Sequence, residues 1–418
     1  MRRLCAQRVF PALSAECAIF AALAAHAAPL PEGPRPVNEP RVNITTIDPR
    51  PTTGKLLSFS IRAGAVLSRG SETIRIPTED IVRISFAVPA DKDRGRTGER
   101  AAQWSLVDGD EIRGHAVSFS GDGVTVRSEL LGAVRVPVQL IKRILTPLAK
   151  SPGFRDSIRW FDQTSTSEDD AALLTNGDVV YGLVRRIDAD GLVIDSVNGE
   201  VRVPQRLLVA ARLANPSTPA AMPAGPSVTV VFKDGGRLTF GKFDLSGAGV
   251  EAVFKGDEPL KFPVDPLERI DVSGGRWQWL STQSPVSYEH TPMLGLGWEY
   301  QMDHSVVGTP LCTAGQIFDR GIGVHSRSTL VFELKGQYRE FVTQFGLDDT
   351  AGNLADVAVA IVIDGQRRHE RTHVRPGELI GPVRLDVTKA NRLELTVDYG
   401  DNGDMQDRFN WIEPGLIR

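Results

Sequence analysis

The sequence predicts an all-β chain in which tandem small β-barrel-like repeats precede a C-terminal jelly-roll β-sandwich. Three observations carry the prediction. A set of landmarks recurs between residues 54 and 273. Short alternating runs bounded by Gly and Asp fill each recurrence. From Trp277 onward the landmarks stop while strand-like runs continue. Of 418 residues, 48 are Lys or Arg and 52 are Asp or Glu, a net charge of −4 with His neutral. Hydrophobic residues at 41% and charged residues at 24% are ordinary globular usage, which excludes a disordered chain and a polytopic membrane protein. Mild acidity is the wrong sign for nucleic-acid binding through phosphates.

The first segment, residues 1–27, reads as a secretory signal peptide. Met1-Arg2-Arg3 is a basic start, Cys17 to Ala25 is apolar, and Ala25-His26-Ala27 is an A-x-A-like end. The apolar run is too short to span a bilayer, so no membrane span is expected once it is removed. An exported protein follows, in the periplasm, at the cell surface or secreted. Without this segment the net charge is −6, and Cys312 alone remains, so no intramolecular disulfide can form. Residues 28–53, with Pro29, Pro31, Pro34, Pro36, Pro40 and Pro49, read as an extended linker.

The repeats follow. Arg75-Ile76-Pro77, Arg135-Val136-Pro137, Arg202-Val203-Pro204 and Lys261-Phe262-Pro263 share a basic–apolar–Pro string, with apolar residues four and seven positions later. Arg stands at the sixth position in three copies: Arg83, Arg143 and Arg269. Upstream, Gly109, Gly177 and Gly236 precede Gly114, Gly182 and Gly241, and Gly123, Gly191 and Gly249 each open an apolar run. Turn pairs (Asp108-Gly109, Asn176-Gly177, Asp234-Gly235) open short strands, and the repeat Pro ends a strand because it has no N–H to donate. The apolar residues at four and seven after Pro fit one helical or 3₁₀ turn. The arginines are expected to close over acids such as Glu79, Asp80 and Glu268 rather than bind anions. These units, 54–87 (degenerate), 102–146, 171–213 and 227–273, resemble the small SH3-like or Sm-like β units found in tandem in exported bacterial proteins. Polar linkers separate them at 89–100, 147–170 and 214–226.

In residues 277–418, strand-like runs at 330–334, 340–345, 357–363, 383–387 and 393–397, with a hairpin turn at Asp364-Gly365, argue for a sandwich. Trp279-Leu280-Ser281, Gly308-Thr309-Pro310, Gly321-Ile322-Gly323-Val324-His325-Ser326, Gly346-Leu347-Asp348-Asp349, Asp407 and Trp411 occur in that order. Together they resemble the NPCBM family, a carbohydrate-binding module related to galactose-binding jelly rolls. The resemblance implies a β-sandwich and, in some members, binding of galactose-type sugars. Pro414 departs from the family pattern, standing where a last strand would run.

Candidate ligand-binding residues are Trp298, Tyr300, His325, Asp348, Asp349, Asn410 and Trp411. Trp298 and Tyr300 alternate on one face and suit stacking on a sugar ring. Asp348 and Asp349, paired acids at a strand end, suit sugar hydroxyls or Ca²⁺ through oxygen. Against each stands a structural role: turn capping for the acids, core packing for the aromatics, a hydrogen-bonded buried ring for His325. His369-Glu370-Arg371-Thr372-His373 matches the H-E-x-x-H zinc string, whose chemistry needs a helix. Here the segment follows a hairpin turn and reads as a strand, on which the two rings lie about 13 Å apart. No catalytic residue and no cofactor is assigned. The functional expectation is carbohydrate binding, of a galactose-type sugar or a polysaccharide, without catalysis. The alternatives are an envelope scaffold with protein partners and, remotely, a zinc metallopeptidase at 369–373.

Overall fold

The computed structural model describes residues 39–418 except 49, 88–100, 164–168, 216–224 and 294–296. The signal-peptide segment and residues 28–38 lie outside the described residues, as does the linker at 89–100. Among the described residues strands dominate, with one α-helix of nine residues, Arg155–Gln163. Among the described residues no closed barrel forms; the strands assemble into several sheets. From Glu39 on, the chain forms one unit. Among the described residues no helix is long and apolar enough to cross a membrane.

Among the described residues four units recur, three of five strands and the fourth of six, because its second strand is split into Arg237–Phe240 and Phe243–Ser246. In the second, Ala102–Leu106, Glu111–Ser120, Gly123–Ser128 and Gly132–Pro137 pair in succession, and Ile141–Leu145 returns to pair with the first strand. Asp170–Leu174, Val179–Asp188, Gly191–Ser196, Gly199–Pro204 and Leu208–Arg212 repeat that order. The opening turns are alike in detail. Gly109, Gly177 and Gly235 take φ of 88°, 88° and 84°. The side chains of Asp108, Asn176 and Asp234 accept the backbone N–H two residues on. A left-handed φ at the second turn position is what Gly supplies without steric cost.

In two units the glycine that opens the third strand has an equally direct cause. A Cβ on Gly64 would lie 2.1 Å from the Ile76 carbonyl oxygen, and one on Gly191 2.1 Å from that of Val203. The strand opened by each glycine runs against the residue before the repeat Pro, and only hydrogen fits. A second glycine row does the same one strand earlier: a Cβ on Gly114 would meet the Arg127 oxygen at 2.6 Å, and one on Gly182 the Asp195 oxygen at 2.3 Å.

Three expectations are corrected. The first unit is whole: Arg41–Thr46 and Thr52–Ser60 pair with each other, and Arg41–Thr46 also pairs with Ile81–Phe86. Residues 41–46 and 52–53 are therefore strand, and Gly54, with a Cβ contact of 2.9 Å to the Ser68 oxygen, fills the position of Gly114. The apolar residues four and seven after Pro do not share a helical turn. The 3₁₀ turns are Thr78–Asp80, Val138–Leu140 and Gln205–Leu207. Ile81, Ile141 and Leu208 begin the strands that follow. A register shift just after Ile81 and after Ile141 inserts one extra residue. A bulge turns a spacing of three into one face of a strand, which imitates helical spacing. The segment read as a linker at 147–170 holds the helix Arg155–Gln163, whose Phe161 packs with Ala149, Ala171, Leu173, Val209 and Ala210.

The units also pair with one another through their last strands. Ile141–Leu145 pairs with Leu208–Arg212, and Ile81–Phe86 pairs with Leu267–Ser273. The first unit is thus stitched to the fourth.

The C-terminal region is a sandwich of two antiparallel sheets. One contains Gln301–Met302, Gly321–His325, Arg408–Ile417, Glu340–Leu347 and Ile380–Asp386, with Trp277–Trp279 also on Arg408–Ile417. The other orders Ser287–His290, Ser328–Glu333, Arg392–Tyr399, Val357–Ile363 and Gln366–Val374. Phe332, Phe341, Phe345, Phe409 and Trp411, all but fully buried, fill the space between them. Arg408–Ile417 runs through Pro414, with Glu413 at φ 47° and a register shift on Glu340–Leu347. A bulge is where a sheet tolerates proline. Asp364 and Gly365, at φ 46° and 78°, form the hairpin turn expected between Val357–Ile363 and Gln366–Val374.

A small core of Ile47, Val82, Trp277, Trp279, Val342 and Ile417 joins the first unit to the sandwich. Arg83 reaches across it, bonded to Asp271 at 2.6 Å and to Glu413, with its guanidinium over the Trp279 ring. Arg143 binds Asp162, and Arg269 binds Asp271 and Asp319. The repeat arginines do close over acids, Arg83 and Arg143 over acids from other elements and Arg269 over both Asp271 of its own strand and Asp319. Asp80 instead takes Arg276.

Candidate ligand-binding face

The strands Ser287–His290, Gly321–His325, Glu340–Leu347 and Arg392–Tyr399 finish at one end of the sandwich, where Val357–Ile363 and Arg408–Ile417 begin. Their loops gather the candidate residues into two groups.

The first group is aromatic. His325 is buried at 5% exposure, and the half-buried Trp298 lies flat on it, with ring centroids 5.0 Å apart and planes 6° apart. His290 meets His325 edge-on at 6.1 Å, and Tyr300 meets Tyr288 edge-on at 5.0 Å. The Trp298 backbone is pinned at both ends: its N–H donates to His290 Nδ1 at 3.2 Å and its carbonyl accepts from the Tyr288 hydroxyl at 2.6 Å. Burial pushes the Tyr288 phenol above the usual range, with the Glu299 and Tyr300 charges adding to it, so it stays a donor at neutral pH. Burial lowers His325 below the ordinary imidazole value, against the hydrogen bond to the Ser326 carbonyl. The ring under Trp298 is therefore favoured in its neutral form.

Beneath this group lies buried polar chemistry. The Ser326 hydroxyl donates to Asp407 Oδ2 at 2.6 Å, and the Asp356 N–H donates to Asp407 Oδ1 at 3.1 Å. Burial pushes the Asp407 carboxyl up to about 6.

The second group is a loop clamp. Asp348 is fully buried and accepts from Asn410 Nδ2 at 2.7 Å and from the Thr350 N–H at 2.9 Å. Asp349 is exposed but accepts from Cys312 Sγ at 2.9 Å and from the Gly315 N–H at 2.8 Å. These contacts hold the hairpin Leu311–Thr313/Gln316–Phe318 to the sheet. The hydrogen bond to Asp349 pushes the Cys312 thiol up to about 11, with burial contributing second. Asp348 and the Asn410 amide nitrogen bond to each other inside the fold, Asn410 Oδ1 is buried without a partner, and Trp411, fully buried between Phe345 and Phe409, offers no face to a sugar. The candidates that meet solvent as a surface are Trp298 and Tyr300, with His325 as their support. His290 and Tyr288 belong with them. The alternation Tyr288-x-His290, matching Trp298-x-Tyr300, is the signal that could have found them.

Two cavities lie away from this face, where the repeats meet the sandwich. One of about 760 Å³ includes Lys255, Trp277, Gln278 and Arg418 in its lining; one of about 330 Å³ includes Asn43, Arg83, Trp279, Gln344 and Glu413.

Among solved structures, a CBM51 module from Clostridium perfringens GH95, determined with methyl-galactose, matches at 24% identity over 34% of this chain and 99% of its own, with a TM-score of 0.30. The CBM51-2 and INT domains of Clostridium perfringens ZmpB, determined with GlcNAc, match at 19% identity over 40% of this chain and 36% of theirs, with a TM-score of 0.29. The tandem CBM51 modules of a family 98 glycoside hydrolase from Streptococcus pneumoniae SP3-BS71 match at 13% identity over 90% of this chain and 88% of theirs, with a TM-score of 0.31. No curated protein matches the chain. A family model does match its C-terminal third: residues 276–417 match the NPCBM/NEW2 domain.

Proposed function

We propose that this is an exported, non-catalytic carbohydrate-binding protein that holds a glycan at the loop end of its C-terminal sandwich. Trp298 and Tyr300 are the contact residues and His325 is the support. The observation that carries the reading is the Trp298 ring, laid flat on His325 and pinned through its backbone by His290 and Tyr288. A rigid aromatic face beside a few polar groups is the pattern of small-ligand sites, and its entropy cost on binding is low. The NPCBM/NEW2 match at residues 276–417 supports the ligand class. The test is a binding titration of the full chain against galactose-type sugars and plant or algal polysaccharides. Saturable binding that falls at least about tenfold in Trp298→Ala, the loss expected of a central aromatic contact, supports the reading. Silence across the panel from a folded protein overturns it.

A second reading, a scaffold with protein partners, is favoured by Tyr181 and Leu183. They alternate on one face of Val179–Asp188 and are 40% and 52% exposed. Crosslinking through a photoreactive group at Leu183 tests it: a discrete adduct supports the scaffold role, and its absence removes the support.

A further inference from the structure

The zinc-like string 369–373 lies on the strand Gln366–Val374, so its two histidines do not face one metal. His369 turns edge-on to Phe345 in the core, and His373 goes elsewhere. We propose that His373, Asp356 and Asp401 form a site for a divalent transition-metal ion.

Three neighbouring strands of one sheet deliver these side chains to one point. Asp356 precedes Val357–Ile363, and Asp401 follows Arg392–Tyr399 by two residues. His373 stands beside Val374, the partner of Val357. An extra residue between Arg371 and Val374 bulges that strand, and His373 takes φ 52° there. Bulges re-aim side chains, and this one brings the imidazole over the sheet end. His373 Nδ1 lies 3.1 Å from Asp356 Oδ2 and 3.8 Å from Asp401 Oδ2, and the three donor atoms lie within 4.8 Å of one another. Nitrogen and oxygen ligands about 2.0–2.1 Å from a tetrahedral ion are roughly 3.4 Å apart, which the two distances bracket.

Asp356 is the second, independent pointer to a ligand. It is 3% exposed, its carboxylate faces His373, and its Oδ1 has no hydrogen-bond partner. A buried carboxylate oxygen without a partner is costly, and a cation removes the cost. Neither Asp356 nor Asp401 has a Lys or Arg ion pair among the described residues, so the negative charge is left for an ion. The Gly400 N–H bonds the Asp356 carbonyl at 2.6 Å, and a Cβ on Gly400 would meet the Asp356 Cγ at 2.5 Å, which sets Asp401 beside the cluster. One imidazole and two carboxylates suit Zn²⁺ and its first-row neighbours; Ca²⁺ takes six to eight oxygens and Mg²⁺ also prefers oxygen donors. The exposed sides of His373 and Asp401 leave the remaining position to water.

The test is calorimetric titration of the full chain with Zn²⁺ alone, at pH 7.5, with millimolar Ca²⁺ present. One saturable site is expected, weakened at least about tenfold in both His373→Ala and Asp401→Asn and unchanged in His369→Ala and in His115→Ala, an exposed residue of the repeats. Asp401 is a surface residue, so its variant keeps the test valid if His373→Ala folds poorly. Absence of saturable Zn²⁺ binding overturns the proposal. So does binding that survives Asp401→Asn, or binding that is lost in His115→Ala.

Discussion

Arg83→Met tests how the first repeat is fastened to the sandwich. The substitution keeps most of the stem and removes the charge. Arg83 is 16% exposed, Asp271 4% and Glu413 24%, so the charges sit away from bulk water. Breaking a buried ion pair by removing one partner costs about 3–5 kcal/mol. Asp271 keeps Arg269 at 3.0 Å, which places this loss at the lower end. Loss of the guanidinium over Trp279, 5.6 Å from its centroid, adds about 0.5–1 kcal/mol. The expected total is about 3–4 kcal/mol. Urea unfolding at pH 7, followed by tryptophan fluorescence and far-ultraviolet dichroism, reads it. A cycle with Glu413→Gln should return a coupling of at least about 1 kcal/mol. The acid limb is a second readout. Burial alone would raise the Asp271 carboxyl, but Arg83 and then Arg269 outweigh it and hold it below the ordinary value. Stability from that depression is present above the ordinary carboxylate pKa and is lost as pH falls through the lowered one. Arg83→Met should shrink that acid-side loss. A total below about 1 kcal/mol, or no coupling to Glu413, would refute the reasoning.

Two further outcomes are expected. With its thiol pushed up to about 11, Cys312 should alkylate at pH 8 about a hundredfold more slowly than an ordinary cysteine, and Asp349→Asn should speed it about tenfold or more, read by site-resolved mass spectrometry. Because burial lowers His325, the stability of the neutral ring under Trp298 is present above the ordinary imidazole pKa of about 6.5 and is lost as pH falls through the lowered value. Glycan binding should therefore hold from pH 8 to near neutrality and fall on the acid side, with a flatter profile in His325→Gln.

Much of the fold was legible because its landmarks are backbone necessities. Gly191 recurs because no Cβ fits against the Val203 carbonyl, and Asp108-Gly109 recurs because the turn needs a side-chain acceptor and a left-handed residue. The opening of the first unit was hidden because its turn follows Asp48 without a glycine, inside a proline-rich stretch. The spacing of Ile81 and Ile84 misled because a bulge and a helix bring the same residues onto one face. At the site, the alternation of Trp298 and Tyr300 was visible in the chain. The separation of Trp298 from Trp411 was not: both are tryptophans near loops, and only the sheet pairing sends one between Phe345 and Phe409. Asp356 and Asp401 carry no local signal, since their meeting with His373 depends on three strands ending together.

The pairing of Ile81–Phe86 with Leu267–Ser273 bears on the order in which the chain is made. Arg83 and Asp271 stand 188 residues apart, so at about 5–20 residues per second the first unit waits roughly 10–40 s for its partner edge. Through that interval an apolar strand edge stands open, and open edges recruit other strands. A nascent chain of this kind needs either a chaperone on its first unit or delivery in an unfolded state to the place where all four units can meet at once.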